Sequence, residues 1–252
     1  MKVFITGVSS GVGKALTTQL IRDGHEVWGI ARRSELLSQL QKELGSDKFH
    51  FSAGDISADV TVDSAISDFK KNNFLPDVVV LNAGLFYQDT DPQFNCDTLK
   101  KVYGVNVFGA LVWVDRLIAE FVKRGSGTFI AISSTSVHRP DAKSVSLPSS
   151  KAALSMAFRS LRLCYAKDSI SFHTVHFGPI ATTLTPQWQS RSGGPRYPFV
   201  MTAEEAARGI SKAIYGKKAV YWFPFFTTFL FRITSFIPDR FFVLLTQFLK
   251  KK

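Results

Sequence analysis

Apolar runs and helix-length segments alternate along the whole chain. The runs Lys2–Thr6, His25–Ile30, Lys48–Ser52, Asp77–Leu81, Thr128–Ser133, Ser171–His176 and Ala219–Phe223 are rich in Val, Ile and Phe. They show little polar alternation, which is the pattern of parallel strands buried on both faces. Between them, Val12–Asp23, Ser34–Leu44, Val60–Asn72, Thr98–Lys123, Ser149–Tyr165 and Thr202–Tyr215 are helical in period and composition. Strand–helix alternation of this kind predicts right-handed βαβ units. The expected fold is therefore α/β, a doubly wound parallel sheet of about seven strands. No internal repeat, low-complexity segment or linker interrupts it. Residues 1–223 read as one domain, and 224–252 as a short C-terminal helical extension. The longest irregular stretch is Thr182–Pro198, with Gly193, Gly194 and three prolines. Such a loop in an α/β domain is often a substrate lid.

The first strand runs into the turn Thr6-Gly7-Val8-Ser9-Ser10-Gly11-Val12-Gly13. Glycines between a first strand and a first helix let the backbone approach a pyrophosphate. The helix N-terminus then offers unpaired N–H groups and a positive partial charge. The position of the turn makes this a Rossmann-type dinucleotide site. A P-loop is the competitor, because Lys14 follows Gly13. That motif needs four residues between its glycines and a Ser or Thr after the lysine. Here five residues separate Gly7 from Gly13, and Ala15 follows Lys14.

The end of strand two speaks to the choice of dinucleotide. An acid there would bond an NAD ribose and repel a 2′-phosphate. The chain instead reads Ile30-Ala31-Arg32-Arg33. Guanidinium groups pair with phosphate, so NADP(H) is the expected cofactor. One of the two arginines, Arg33 by preference, is expected only to cap or solvate the strand end.

Net charge changes the picture at the C-terminus. The chain of 252 residues carries a formal charge of +11. From Gly216 onward the basic residues are Lys217, Lys218, Arg232, Arg240, Lys250, Lys251 and Lys252, and the sole acid is Asp239. Phenylalanine is dense in the same stretch, which suits an anionic lipid surface better than nucleic acid. No recognised nucleic-acid module is present, so no nucleic-acid partner is expected. Ala219–Phe231 is uncharged, but Pro224 and Arg232 keep it below the length of a bilayer span. Two short helices lying on a membrane, the second starting near Pro238-Asp239, are one reading. A subunit interface or a substrate-channel wall is the other. Two cysteines, Cys96 and Cys164, are too few for a disulfide framework and read as buried free thiols. No basic and apolar leader precedes the first strand, so a cytoplasmic location is expected, with possible peripheral contact on the cytoplasmic membrane face.

The TGxxxGxG spacing of the turn resembles the short-chain dehydrogenase/reductase family, and further motifs agree with it in order. Asn82-Ala83-Gly84 resembles the family's NAG element. Asp55, followed by Ile56, resembles the acid that meets the adenine ring. Asn106 in Val105-Asn106-Val107 resembles the helix asparagine of the catalytic tetrad, and Ile132-Ser133-Ser134 the catalytic serine segment. Phe177-Gly178-Pro179-Ile180-Ala181-Thr182 resembles the PGxVxT loop beside the nicotinamide, with Phe177 in place of its proline. The resemblance spans about residues 2–222. It implies that Thr6, Gly7, Ser9, Ser10, Gly11, Val12, Gly13, Arg32, Arg33, Asp55, Ile56, Asn82, Ala83, Gly84, Lys151, Gly178, Ile180 and Thr182 form the cofactor site. It also implies a homo-oligomer.

In such a family a tyrosine acts as general acid/base on a carbonyl or alcohol. A lysine four residues later lowers its pKa and holds the ribose. A serine polarises the substrate oxygen, and the asparagine helps to hold a relay water. Lys151 matches the lysine in Ser150-Lys151-Ala152-Ala153. Four residues before it stands Leu147, and the family's spacing of thirteen from Ser134 reaches the same residue. The implied catalytic set is Ser134, Leu147, Lys151 and Asn106, and leucine has no proton to give.

Three readings stay open. The chain is a reductase carrying a Tyr→Leu change, a cofactor-binding pseudoenzyme acting through protein or membrane interaction, or an enzyme with another donor. His138 and Tyr103 are the candidate donors. Their plainer readings are an exposed loop histidine and a core-packed tyrosine. His25, His50, His173 and His176 show no metal-ligand spacing and read as structural, and no metal site is expected. The leading expectation is an NADP(H)-dependent oxidoreductase acting on a ketone or alcohol of an apolar, lipid-like molecule.

Overall fold

A computed structural model describes residues 1–90, 93–141, 143–182 and 200–241. Seven strands form one parallel sheet: β1 (Lys2–Thr6), β2 (Glu26–Ala31), β3 (Phe49–Ala53), β4 (Val78–Leu81), β5 (Gly127–Ser134), β6 (Ile170–Phe177) and β7 (Val220–Phe223). Their order is β3-β2-β1-β4-β5-β6-β7. The α/β doubly wound expectation therefore holds.

Alternate residues of each strand feed two cores. Val3 and Ile5 of β1 face a cluster with Leu16 and Leu20 of α1 (Gly11–Arg22), Leu37 of α2 (Ser34–Leu44) and Ile210 of α7 (Ala203–Ile214). Phe4 faces the opposite cluster, with Phe69 of α3 (Asp59–Lys71), Trp113 and Phe121 of α5 (Gly109–Arg124), and Phe158 of α6 (Ser146–Cys164). Trp113 is fully buried, and its ring centroid lies 4.5 Å from that of Phe4. Burial of a large apolar side chain of this kind stabilises by roughly 1.5–3 kcal/mol. Strands clothed on both faces need no polar alternation, which is why their sequences lack it.

Strand order reverses at β1. The chain steps outward through β2 and β3, then returns to the other side of β1 as β4. The carboxyl ends of β1 and β4 thus open a crevice at a topological switch point, where ligands of such sheets bind.

Three local departures from the sequence reading matter. The single helix expected over Thr98–Lys123 is α4 (Cys96–Tyr103), a π-helical turn (Gly104–Phe108) and α5. The wide turn carries Asn106, which is buried. An added residue in one turn re-aims a side chain without ending the helix, so helical periodicity runs on across it. Next, α6 begins at Ser146 rather than Ser149, which puts Leu147 and Pro148 in its first turn. Proline is tolerated there because the first N–H groups have no partner inside the helix. Finally, Cys96 and Cys164 are exposed rather than buried, at the start of α4 and the end of α6.

After β7 the chain forms α8 (Phe225–Thr234), and a further helix begins at Asp239. Residues 242–252, which hold the rest of the second expected C-terminal helix, and nearly all of the Thr182–Pro198 loop lie outside the described residues. No described helix is long and apolar enough to cross a membrane.

Candidate active site at the sheet switch point

The glycine turn is fixed from beneath by Asn82 and Thr6. The Thr6 hydroxyl accepts from the backbone N–H of Asn82 and of Ala83, each at 3.1 Å. The Asn82 amide donates to the carbonyls of Thr6 at 3.0 Å and Gly7 at 3.3 Å. The NAG segment at the end of β4 therefore clamps the end of β1. Gly7 has φ +79°, and a Cβ on it would stand 2.9 Å from the Ala83 Cα. A Cβ on Gly13 would fall inside contact distance of the Gly7 carbonyl. Both positions need glycine, one for conformation and close approach, the other for close approach alone.

Above the turn, α1 starts with no side-chain cap from Ser10 and no acid in its first turn. Its N–H groups and dipole are left for an anion. The Arg33 guanidinium donates to the hydroxyls of Ser9 at 2.9 Å and Ser10 at 3.0 Å. The arginine expected only to cap the strand end is thus the one that reaches the turn. Arg32 instead lies within electrostatic reach of Asp55. Asp55 accepts from the Ser57 hydroxyl at 2.7 Å and the Ser57 N–H at 2.9 Å. Those two bonds, helped by Arg32, hold its carboxyl below the usual range. Ile56 is buried, and its carbonyl accepts from the Trp113 indole at 3.1 Å. The loop after β6 closes over the far side. Ile180 bridges to Met201, and the Thr182 methyl lies 3.4 Å from where a Gly11 Cβ would be.

Asn106 and Lys151 gather beyond Gly84. A Cβ built on Gly84 would lie 3.4 Å from the Asn106 Oδ1 and 3.5 Å from the Lys151 Nζ. Asn106 is held from both ends. Its Oδ1 accepts from the Leu85 N–H at 2.7 Å, and its Nδ2 donates to the Leu85 carbonyl and the Ser150 hydroxyl, each at 3.1 Å. The Ser150 hydroxyl in turn donates to the Leu147 carbonyl at 3.1 Å. The asparagine is therefore wired to the first turn of α6.

Lys151 is buried, and its ammonium donates to the Ile132 carbonyl at 2.7 Å. Burial pushes its pKa down to about 8. An ammonium has three donors, and one is used among the described residues. Ser134 ends β5, and its hydroxyl accepts from the Ser136 N–H at 3.1 Å. It keeps its own proton to offer. Leu147 is half-buried at the position four residues before Lys151, on the same helix face.

These residues fit a nicotinamide dinucleotide. The turn and α1 supply donors for a pyrophosphate. The unmet ammonium donors beside Gly84 suit ribose hydroxyls, which Gly84 leaves room to approach. Thr182 lies with the glycine turn rather than apart from it.

Sequence reasoning missed two polar residues around the site, Asp89 and Arg139, and named a third, His176, as structural. Asp89 is buried and accepts from the N–H groups of Val145 at 2.7 Å and Ser146 at 2.8 Å, so it fixes where α6 starts. Arg139, also buried, follows the 3₁₀ turn Thr135–His138 that Ser134 caps. Its guanidinium donates to the Thr234 hydroxyl at 3.2 Å, to Asp239 at 2.9 Å and to the Ile237 carbonyl at 2.9 Å. His176 donates Nδ1–H to the Ser134 carbonyl at 3.2 Å and stacks on Trp222 with ring centroids 3.9 Å apart. Burial lowers its pKa to about 4, so it is a neutral strut. Asp89 had no local signal, because its partners lie more than fifty residues away.

The two candidate donors fare differently. His138 is not an exposed loop residue. It is half-buried, with its ring 5.2 Å from that of Trp222, and burial and Arg232 lower its pKa. Tyr103 is half-buried at the end of α4, just before the π turn. His173 bonds the Ala213 carbonyl, and His50 pairs with Glu26. No group of His, Cys, Asp or Glu among the described residues could hold a metal.

Comparison with known proteins bears on the same region. A family model described as short chain dehydrogenase matches residues 1–193. An uncharacterized oxidoreductase of Staphylococcus haemolyticus is 25% identical over 181 residues, 72% of this chain and 78% of that protein. An NADPH-dependent pterin aldehyde reductase of Arabidopsis thaliana is 31% identical over 134 residues, 52% of this chain and 55% of its own. Among solved structures, a closed form of serine dehydrogenase complexed with NADP+ superposes with a TM-score of 0.80. It shares 19% identity and covers 88% of this chain and 94% of its own.

Proposed function

The chain belongs to the short-chain dehydrogenase family, and from that premise we propose that it is an oxidoreductase. It binds NADP(H) and interconverts a ketone and an alcohol on an apolar, lipid-like molecule, with the proton-transfer step impaired at Leu147. The observation that carries this reading is the buried Lys151 ammonium beside Gly84, with two of its donors unmet among the described residues. A charged group held there needs acceptors, and ribose hydroxyls supply them.

Preference for NADP(H) rests on Arg33 across Ser9 and Ser10, with Arg32 next to it and no acid at the end of β2. The NADPH-dependent relative supports it. The bound nicotinamide would supply or accept the hydride. Ser134 donates a hydrogen bond that polarises the substrate oxygen, and Asn106 keeps the π turn docked on Leu85 and Ser150. With leucine at 147 no side chain delivers the proton, and water must do so. Loss of a positioned general acid costs about 10²–10⁴-fold in rate. Leu147 itself favours a second reading, in which the chain binds NADP(H) without turnover and acts by interaction.

Titration with NADPH and with NADH, followed by turnover of a panel of apolar ketones, separates the readings. Wild type is expected to bind NADPH at least about tenfold more tightly than NADH, the value of one charge-assisted contact. Leu147→Tyr is expected to raise NADPH oxidation by about 10²–10⁴-fold on a ketone of the panel. NADPH binding with no turnover in either protein would leave the binding-only reading.

A further inference from the structure

Helix α8 is amphipathic the wrong way round for a helix facing water. Its buried residues are Thr227 and Thr228, while Phe225, Phe226, Phe229, Leu230 and Ile233 are exposed, Phe226 by 77%. Phe236 follows, exposed by 88%. An exposed apolar patch of this kind marks an interaction surface.

We propose that this face of α8 docks on an anionic lipid bilayer and holds the mouth of the active site against it. The inference rests on the proposed apolar substrate and adds where that substrate comes from. Charge selects the occupant. Arg232 and Arg240 border the face and are exposed, and the sequence ends in Lys250, Lys251 and Lys252. The nearby acid, Asp239, is already paired with Arg139. A symmetric second copy would set these cations against their own kind. Anionic headgroups would neutralise them, while the phenylalanines enter the acyl boundary. At ten residues α8 is about 15 Å long, so it lies on the surface and does not span.

The docking face is tied to the catalytic loop. Arg139 sits one residue past the 3₁₀ turn capped by Ser134, and three of its donor groups end on residues 234, 237 and 239. Trp222, at the foot of α8, carries the Arg232 guanidinium 5.0 Å above its ring and the His176 ring, stacked, at 3.9 Å. His176 in turn bonds the Ser134 carbonyl. A membrane under α8 therefore lies under the wall of the substrate site.

The test is flotation of the full chain with vesicles of phosphatidylcholine, and with vesicles of equal parts phosphatidylcholine and phosphatidylserine. Wild type is expected to float with the mixed vesicles and to be released by high salt. Phe226→Asp with Phe229→Asp is expected to cut that binding at least about tenfold. Arg240→Glu is expected to cut it about tenfold on mixed vesicles and hardly at all on pure phosphatidylcholine. All three positions are exposed, and NADPH binding by the same samples is expected to stay unchanged. Flotation that is absent in wild type, or equal in wild type and the double variant, overturns the proposal. So does a wild-type dimer that the double variant splits while neither floats, since the face then belongs to a second copy. NADPH binding is read separately, so its failure would strike the proposed function and not the docking.

Discussion

The two walls of the crevice are finished to different degrees. On the cofactor wall, made by β1, α1 and β4, the polar groups under the turn satisfy one another. Thr6, Asn82 and the Gly7 carbonyl form a closed set of bonds. On the substrate wall, made by β5, the 3₁₀ turn and α8, the Ser136 hydroxyl, the His138 Nε2 and the Thr227 hydroxyl are buried without a hydrogen-bond partner among the described residues. Leu147 adds a half-buried apolar side chain at the position where the proposed proton transfer would need a polar one. Unsatisfied buried polar groups are costly, so the difference has content. The glycine turn of the cofactor wall is complete as backbone geometry, with the Thr17 hydroxyl of α1 the unpartnered buried group behind it, whereas the other wall leaves three such groups among the described residues.

The strongest way to break that contrast is Gly13→Ala. The new methyl would meet the Gly7 carbonyl and, at 2.7 Å, the Asn82 amide nitrogen. Neither is the free end of a flexible side chain, because Asn82 is already bonded to Thr6 and Gly7. Overpacking costs about 1–3 kcal/mol in cores that can adjust, and this site is expected at or above the top of that range. Thermal unfolding should shift down accordingly, and NADPH affinity should fall at least about tenfold. A variant with normal NADPH affinity would show that the turn is not the pyrophosphate cradle.

Lys151→Met sharpens the contrast from the other side, because Lys151 touches both walls. Burial depresses its pKa from 10.5 to about 8. The folded state therefore holds the proton less tightly than the unfolded chain. Stability rises with pH from about 8 to about 10.5, and the full cost of the buried charge is borne below pH 8. Replacing the lysine is expected to raise the unfolding temperature of the cofactor-free protein at pH 7, by up to about 3 kcal/mol in stability. The gain should vanish near pH 10.5, which a pH series of melting curves reads directly. NADPH binding should weaken in the same variant. Stability gained and ligand lost by one substitution is the mark of a functional group rather than a structural one. A destabilised variant at pH 7 would mean that the Ile132 contact outweighs the desolvation.

The sequence made these two walls unequally legible. Parallel strands such as Val3-Phe4-Ile5 and Val78-Val79-Val80 declare themselves, because burial on both faces removes polar residues from them. The glycine turn does so because only glycine meets its sterics. Asn106 was legible as a motif, but the π turn that aims it was not, since apolar periodicity passes through Gly104–Phe108 unbroken. Arg139 and Asp89 were silent because their bonds join residues 56 to 100 positions apart. Nothing local in Val137-His138-Arg139-Pro140 says that the arginine turns inward. That Arg33 rather than Arg32 reaches Ser9 and Ser10 was not legible, since adjacent side chains at a strand end point apart and sequence does not say which way.

The smallest expected effect belongs to Asp89, and it asks whether the substrate wall is held by long-range caps. Its carboxylate receives the Val145 and Ser146 N–H groups at the start of α6, one residue before Leu147. Burial alone would raise its pKa, but hydrogen bonds from Ser146 and Val145 outweigh burial and hold it below the usual range. The negative charge also meets the positive end of the α6 dipole. Asp89→Asn keeps the shape but turns an acceptor into an amide, and should cost about 1 kcal/mol at neutral pH. The sign with acid is fixed. The carboxylate's contribution is fully present above its unfolded pKa near 3.8 and is lost as pH falls through the lower folded value. Wild type and Asp89→Asn should therefore converge in stability once pH has fallen through the lowered folded value. In a Leu147→Tyr background the same change should lower kcat more than it raises KM, because α6 would no longer start at a fixed residue and the new hydroxyl would lose its aim. An unchanged kcat there would show that the packing of α6 alone, without its distant cap, positions residue 147.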